Sequence, residues 1–207
     1  MESKEYFSEV AEQWDNMRTR FFSESLREKA LTLTSVLPGN TAADIGAGTG
    51  FMTEGLLRQG LQVIAVDQSS EMLDVLKKKF AHYQGLDCRV GESENLPIVD
   101  ASVHYVFANM YLHHVESPPT TIMEMVRILK PGGKLAITDL DQHQFMFLRT
   151  EHHDRWMGFK RSNVEAWLIA AGLKNVQVTC ASENCCAQSA CGNDQAKISI
   201  FVASGEK

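Results

Sequence analysis

The sequence is short of the features that mark several classes of protein. No apolar run approaches the roughly 20 residues needed to span a membrane. The segment Met1 to Val10 is polar and acidic, so no signal peptide is expected. Cysteine is scarce, five in 207 residues, and unevenly placed. That excludes a disulfide-stapled secreted fold and sets the expectation of a reducing, cytoplasmic compartment. Positive charge is in deficit: 20 Lys and Arg stand against 26 Asp and Glu, a net charge of −6. Such a chain lacks the basic face that a general nucleic-acid or anionic-membrane binder needs. No repeat or low-complexity tract occurs. What remains is ordinary globular composition, 44% hydrophobic and 22% charged, long enough for one well-buried core.

The chain opens with a helical pattern over its first 36 residues. Phe7, Val10, Trp14, Met17 and Phe21 recur at three- and four-residue steps and so share one helix face. Leu37-Pro38-Gly39-Asn40 ends that pattern. Short apolar runs then alternate with helical segments. The runs are Thr41–Ile45, Leu61–Val66, Cys88–Val90, Val103–Phe107 and Lys134–Thr138; the helices are Phe51–Arg58, Ser70–His82 and Pro118–Leu129. Ser117 reads as an N-cap with Pro118 at the first helical position. Lys130-Pro131-Gly132-Gly133 is expected to end that helix sharply. Ser162-Asn163-Val164-Glu165 reads as a capping box opening a further helix that stops at Gly172. Two last strands follow, about Leu173–Thr179 and Ala196–Ala203, with a hairpin-like loop between them. Continuous β-branched runs between helices predict an α/β fold, a doubly wound, mostly parallel sheet.

The strongest local signal is Ala43-Asp44-Ile45-Gly46-Ala47-Gly48-Thr49-Gly50, set between a strand and a helix. Its glycines permit a tight turn and close approach of a ligand, and the following helix offers free N–H groups. Asp67 ends the next strand, 21 residues after Gly46, where a carboxylate can accept from both hydroxyls of a ribose. The spacing is G-x-G-x-G rather than the G-x-G-x-x-G of dinucleotide folds. Asp44 beside the turn would repel a pyrophosphate but suits a ligand carrying an ammonium and a sulfonium. S-adenosylmethionine is therefore favoured over NAD.

Four segments carry a resemblance: Asp44 to Gly50, Val66-Asp67, Gly91-Glu92-Ser93-Glu94-Asn95-Leu96-Pro97 and Leu129-Lys130-Pro131-Gly132-Gly133. In this order they resemble the motifs of class I S-adenosylmethionine-dependent methyltransferases, nearest to the small-molecule (type 11) subgroup that includes ubiquinone and menaquinone biosynthesis enzymes. The resemblance implies a Rossmann-like methyltransferase fold with a seven-stranded sheet. It implies that Gly46 and Gly48 line the methionine and ribose part of the cofactor, with Asp44 near its amino group and Asp67 on the ribose. It places Glu92 and Ser93 at the adenine, with Glu92 one methylene longer than the family's usual Asp, and Asn109 beside the methionine moiety. Residues 1–37 would form a helical lid and residues 38–207 the cofactor-binding domain. Trp14-Asp15 resembles a lid motif, although the same apolar stripe also suits a plain helix packed on the sheet.

Methyl transfer is an in-line displacement at a sulfonium carbon, so alignment and exclusion of water do most of the catalysis. A base is needed only if the acceptor carries a proton. His113 and His114 are the candidates, since imidazole titrates near neutrality, and histidine here is common in the resembled family. Equally, both can brace the strand-to-helix turn. Asp139, ending the fifth strand, either shapes an acceptor pocket or caps a turn.

Two stretches stand apart. Asp141 to Trp156 is rich in aromatic residues, Met and His, which suits a helix facing the acceptor or one covering the sheet edge. Residues 180–192 read as a cysteine-rich loop, with four of the five cysteines within twelve residues. Thiolates there could hold a soft metal or metalloid, with Cys185, Cys186 and Cys191 as ligands, although no C-x-x-C pair is present. The expectations are thus a methyltransferase for a small-molecule acceptor, with three alternatives. One acts on thiol-bound trivalent arsenic, although arsenite methyltransferases spread their cysteines along the chain. Another is a non-catalytic metal sensor, and the last, disfavoured by the loop spacing, is an NAD-dependent oxidoreductase.

Overall fold

A computed structural model describes residues 3–19, 21–189, 192 and 194–207. Seven strands form one sheet in the order β3-β2-β1-β4-β5-β7-β6. Strands β1 (Thr41–Ile45), β2 (Gln62–Asp67), β3 (Leu86–Val90), β4 (Val103–Asn109) and β5 (Leu129–Leu140) run parallel. Strand β7 (Gln195–Glu206) lies antiparallel between β5 and β6 (Lys174–Gln188). The doubly wound, mostly parallel α/β expectation is met.

Strand alternation divides the core between the two faces of the sheet. Ala42, Tyr105, Phe107 and Ala136 face helices α3 (Glu24–Thr34), α4 (Phe51–Arg58) and α5 (Ser70–Lys79), whose Leu31, Leu56 and Leu76 are buried there. Ala43, Ile45, Val106 and Ile137 face the opposite layer, built from α6 (Pro118–Ile128) and α8 (Arg161–Ala170). A third apolar cluster, including Phe22, Leu26, Leu140, Leu148 and Cys185, sits against the β6–β7 hairpin. It gathers α3, the end of β5 and the short α7 (Met146–Glu151).

Several local expectations need correction. The amino-terminal helix is broken: α1 (Ser3–Val10), a 3-10 turn over Ala11–Gln13, and α2 (Trp14–Arg18) precede α3. Residues of α1, α2 and the Phe21–Phe22 segment cover the cleft described below, whereas α3 packs into the sheet layer. The helix does stop just before Lys130, with Ile128 its last residue, but Lys130 to Gly133 continues as part of β5 rather than as a turn. There Leu129 already pairs with Val103, and Gly132 N–H donates to the Lys207 carbonyl. Ser162 is not the cap of α8; Lys160 is, with no side-chain cap bond. The helix start is set instead by Phe159, which pairs with Asp141, and by Arg161, whose Nε and Nη2 grip the Asp141 carboxylate at 2.8 and 2.5 Å. Ser117 with Pro118 does open α6. Of the stretch Asp141 to Trp156, only residues 146–151 are helical.

The largest correction concerns the cysteines. Residues 180–188 are not loop but the second half of β6, hydrogen-bonded to β7 from Asn184↔Ser199 to Gln188↔Gln195. Ala181, Cys185 and Ala187 point inward and their neighbours point out, the alternation of a half-buried strand. A register shift between Cys180 and Asn184, with Ser182 at φ 58°, marks a bulge.

Phe107 is fully buried in the middle of the sheet. Phe107→Ala should cost about 3–5 kcal/mol of unfolding free energy. Urea denaturation should show this as a lower midpoint with an unchanged slope.

Candidate active site

The glycine turn is closed by main chain and by one acid. Gly46 and Ala47 N–H groups both donate to the Val66 carbonyl, at 2.9 and 3.0 Å. Gly48 N–H donates to Asp67 Oδ2 at 2.8 Å, and Ser69 N–H to Asp67 Oδ1 at 2.9 Å. The turn needs glycine: φ is 69° at Gly46 and 52° at Gly48. A Cβ on Gly46 would lie 2.2 Å from the Tyr111 ring. A Cβ on Gly48 would enter open space, with only Trp14 Nε1 near at 3.8 Å.

Asp44 is buried beneath this turn, and its Oδ2 accepts from Thr53 N–H at 2.8 Å and Thr53 Oγ1 at 2.6 Å. Burial pushes its carboxyl up to about 7 against those two hydrogen bonds, with a further rise from the charge of Asp67. Asp67 is also raised by burial, which the backbone donors of Ser69 and Gly48 oppose. Asp44, Gly46, Gly48, Asp67 and Asn109 thus line one cleft of about 630 Å³. Glu92 and Ser93 are not among its walls. Glu92 is exposed, and Ser93 is buried with its Oγ 3.2 Å from Thr121 Oγ1. The Tyr111 ring lies between, packed on Gly46 with its hydroxyl bonded to Ser93. Sequence reading missed Tyr111. Its neighbour Met110, at φ 50°, turns the chain at the end of β4.

A second cavity of about 470 Å³ adjoins the first and shares Phe7, Trp14, Phe22, Met110 and His114 with it. His113 is buried here. Its Nδ1 lies 2.6 Å from Asp139 Oδ1, and its backbone N–H donates to Asp139 Oδ2 at 3.2 Å. Its Nε2 is 3.8 Å from Asp154 Oδ1. Asp154 is held there by main chain, because the Arg155 and Trp156 N–H groups both donate to the His113 carbonyl, at 3.1 and 3.0 Å. Burial alone would lower the His113 pKa, but the charges of Asp139 and Asp154 prevail and hold it at about 9. His114 moves the other way, well below its ordinary value, because it is buried beside His113.

Of the cysteine trio expected to hold a metal, the two described members do not face one site. Cys185 and Cys186 are successive strand residues, the first buried against the second cavity and the second exposed on the opposite face. Cys191 lies outside the described residues. Burial, with the nearby charge of Asp154, pushes the Cys185 thiol up to about 12, away from the thiolate that a soft ion needs. The grouping of metal-ligating side chains among the described residues is instead His113, His114 and Asp154.

The two amino-terminal helices roof both cavities. Phe7 and Trp14 meet edge-to-face, with centroids 5.1 Å apart, and Phe7 packs on His114 at 5.0 Å. Asp15 pins the roof: it accepts from Thr49 Oγ1 at 2.8 Å and from Lys79 Nζ at 2.6 Å. Among the described residues, no helix is long and apolar enough to cross a membrane.

Comparison with known proteins bears on the family and the fold. Residues 43–137 match the model of the methyltransferase domain. The chain is 30% identical over 159 residues to the demethylmenaquinone methyltransferase of Renibacterium salmoninarum, covering 72% of this chain and 66% of that protein. Across the first curated relatives it matches, the chain spans 27% to 66% of their length. Among solved structures, the fold is similar to the complex of the Haloferax volcanii Trm112 methyltransferase activator with a putative methyltransferase. That match has a TM-score of 0.78 and 19% identity, and covers 97% of this chain and 96% of that one. It is also similar to a Haemonchus contortus phosphoethanolamine N-methyltransferase bound to phosphomonomethylethanolamine and S-adenosylhomocysteine. There the TM-score is 0.72 at 18% identity, over 87% of this chain and 52% of that one.

If Asp15 pins the roof, Asp15→Ala should release it. One hydrogen bond and one half-exposed ion pair together contribute about 1–2 kcal/mol. Amide exchange in residues 3–18 should therefore rise about tenfold, while exchange in β1 and β4 stays unchanged.

Proposed function

Because the chain belongs to the class I S-adenosylmethionine-dependent methyltransferases, we propose that it transfers a methyl group from S-adenosylmethionine to a small acceptor in the second cavity. The observation that carries this reading is the pair of adjoining cavities under one roof. One is lined by a glycine turn and two buried acids, the other by His113, His114 and apolar side chains.

The first cleft suits the cofactor. Gly48 leaves room where a side chain would stand, Asp67 would hold the ribose hydroxyls, and Asp44 favours the positively charged methionine end. Asn109 would flank the methionine moiety, with Glu92 and Ser93 at the adenine end beyond Tyr111. When bound, S-adenosylmethionine supplies a methyl group on a positively charged sulfur. The chain's own residues align and dry the acceptor: Phe7, Trp14, Phe22 and Met110 form the apolar partition that both ligands would share. His113, oriented by Asp139, and His114 give the acceptor cavity its polar wall and are the groups that would meet an acceptor's heteroatom.

Calorimetry with S-adenosylmethionine and S-adenosylhomocysteine is the first test, followed by an assay of S-adenosylhomocysteine release across phenol, thiol and amine acceptors. Binding of both compounds is expected, and Gly48→Val should weaken it at least about tenfold, a loss of roughly 1.4 kcal/mol. A folded protein with no affinity for either compound would falsify the proposal. Asp44 adds a pH signature. With its carboxyl at about 7 in the fold and near the ordinary aspartate value when unfolded, the native state holds the extra proton. This contribution to stability therefore falls as pH rises from about 4 to about 7. Cofactor affinity should move oppositely, strengthening from pH 6 to 8 as the carboxylate forms, and Asp44→Asn should flatten the rise.

A further inference from the structure

The acceptor-side cavity holds more imidazole than methyl transfer requires. His113, His114 and His152 line it, and His143 is close enough to feel the charges of His113 and Asp139. Among the described residues, three buried side-chain nitrogen or oxygen atoms have no hydrogen-bond partner, and two of them are His114 Nδ1 and His143 Nε2. A buried polar atom without a protein partner costs about 1–3 kcal/mol unless a water or an ion satisfies it.

The geometry around His114 says which. Ligand atoms of His113, His114 and Asp154 all lie within 4.8 Å of one another. Asp139 engages His113 Nδ1 at 2.6 Å, which leaves Nε2 facing Asp154 Oδ1 at 3.8 Å. A carboxylate behind an imidazole in this way is the outer-shell arrangement that orients histidine ligands and raises their basicity. Asp154 is placed by two main-chain hydrogen bonds to the His113 carbonyl. The trio is thus assembled by backbone, before any ion arrives. Cys185 lines the same cavity but its sulfur is not part of the group.

We infer that His113, His114 and Asp154 form a binding site for a first-row divalent cation, with Asp139 as the positioning carboxylate behind His113. Two imidazoles and one carboxylate suit zinc, cobalt or iron(II) rather than calcium or magnesium. Three protein ligands leave a further coordination position open toward the cavity. Ligation through His113 Nε2 requires that nitrogen unprotonated, so any proton it carries leaves to solvent as the ion binds. Taken with the proposed methyl transfer, on which only this last step rests, the open position would receive an acceptor's anionic oxygen or sulfur.

The test uses the untagged full chain after treatment with a chelator. Zinc chloride is titrated by calorimetry, and cobalt(II) is followed by visible absorbance. One ion per chain is expected, with a cobalt spectrum free of thiolate charge-transfer bands. Asp139→Asn should weaken zinc binding roughly 10–100-fold, the usual effect of losing an outer-shell partner. Asp154→Asn and His114→Ala should weaken it further, and Cys185→Ser should bind like the wild type. Failure of the wild-type chain to bind zinc stoichiometrically overturns the inference, as does binding that survives in folded Asp154→Asn and His114→Ala chains. A thiolate band does so as well. S-adenosylmethionine calorimetry on the same samples separates the two claims. Zinc binding without cofactor binding sinks the methyltransferase reading alone, and cofactor binding without zinc sinks the cation site alone.

Discussion

One buried carboxylate holds the ligand-facing edge of the sheet together. Asp67 ends β2, yet its two oxygens accept from Gly48 in the turn after β1 and from Ser69 at the start of α5. A buried acid is costly unless its lone pairs are used. Here the cost is offset by two backbone donors that a tight turn and a helix start would otherwise leave unpaired. The same bonds set the height of the glycine turn against the neighbouring strand tip. Asp44, Tyr111 and Asn109 all take their positions relative to that turn, so the shape of the cleft follows from a contact between adjacent parallel strands.

The other half of the site is built on the next pair of strand tips by the same logic. Asp139 ends β5 and engages both the ring and the backbone N–H of His113, just after β4. It also accepts from its own neighbour, Leu140 N–H, at 2.7 Å. A parallel sheet places all these carboxyl ends on one edge. Two acids on that edge, at β2 and β5, act as brackets for the turns beside them, and the two cavities lie between those brackets. The antiparallel β7 and the long hairpin to β6 then wall the second cavity from the far side, with Cys185 as part of the apolar lining.

Much of this was legible in the sequence. The glycine turn, Asp67 and the alternation of strands and helices follow from local chemistry, and they lead to the observed sheet and to Asp44, Gly46, Gly48 and Asp67 of the first cleft, whereas Asn109 was implied by the family resemblance. What was not legible depends on contacts distant in sequence. Asp154 joins His113 only because residues 155 and 156 donate to a carbonyl some forty positions earlier. Tyr111 looked like any aromatic after a strand, and its packing on Gly46 is a tertiary fact. The second half of β6 was hidden by its place at the sheet edge. Its exposed positions are Cys180, Ser182, Asn184, Cys186 and Gln188, a polar and thiol pattern that read as loop, and a bulge at Ser182 breaks the period that would have revealed a strand. The false capping box at Ser162 failed for a similar reason, since the Asp141–Arg161 pair fixes the start of α8 at Arg161, with Lys160 rather than Ser162 as its cap.

Phe7 and Trp14 touch both cavities, so neither cavity can be furnished independently of the other. Under the proposed assignment, a molecule in either cavity would pack on those two rings, so the two sites would be coupled through them. Linkage would make any such coupling mutual: whatever factor an acceptor contributed to methyl-donor affinity, the donor would contribute to acceptor affinity.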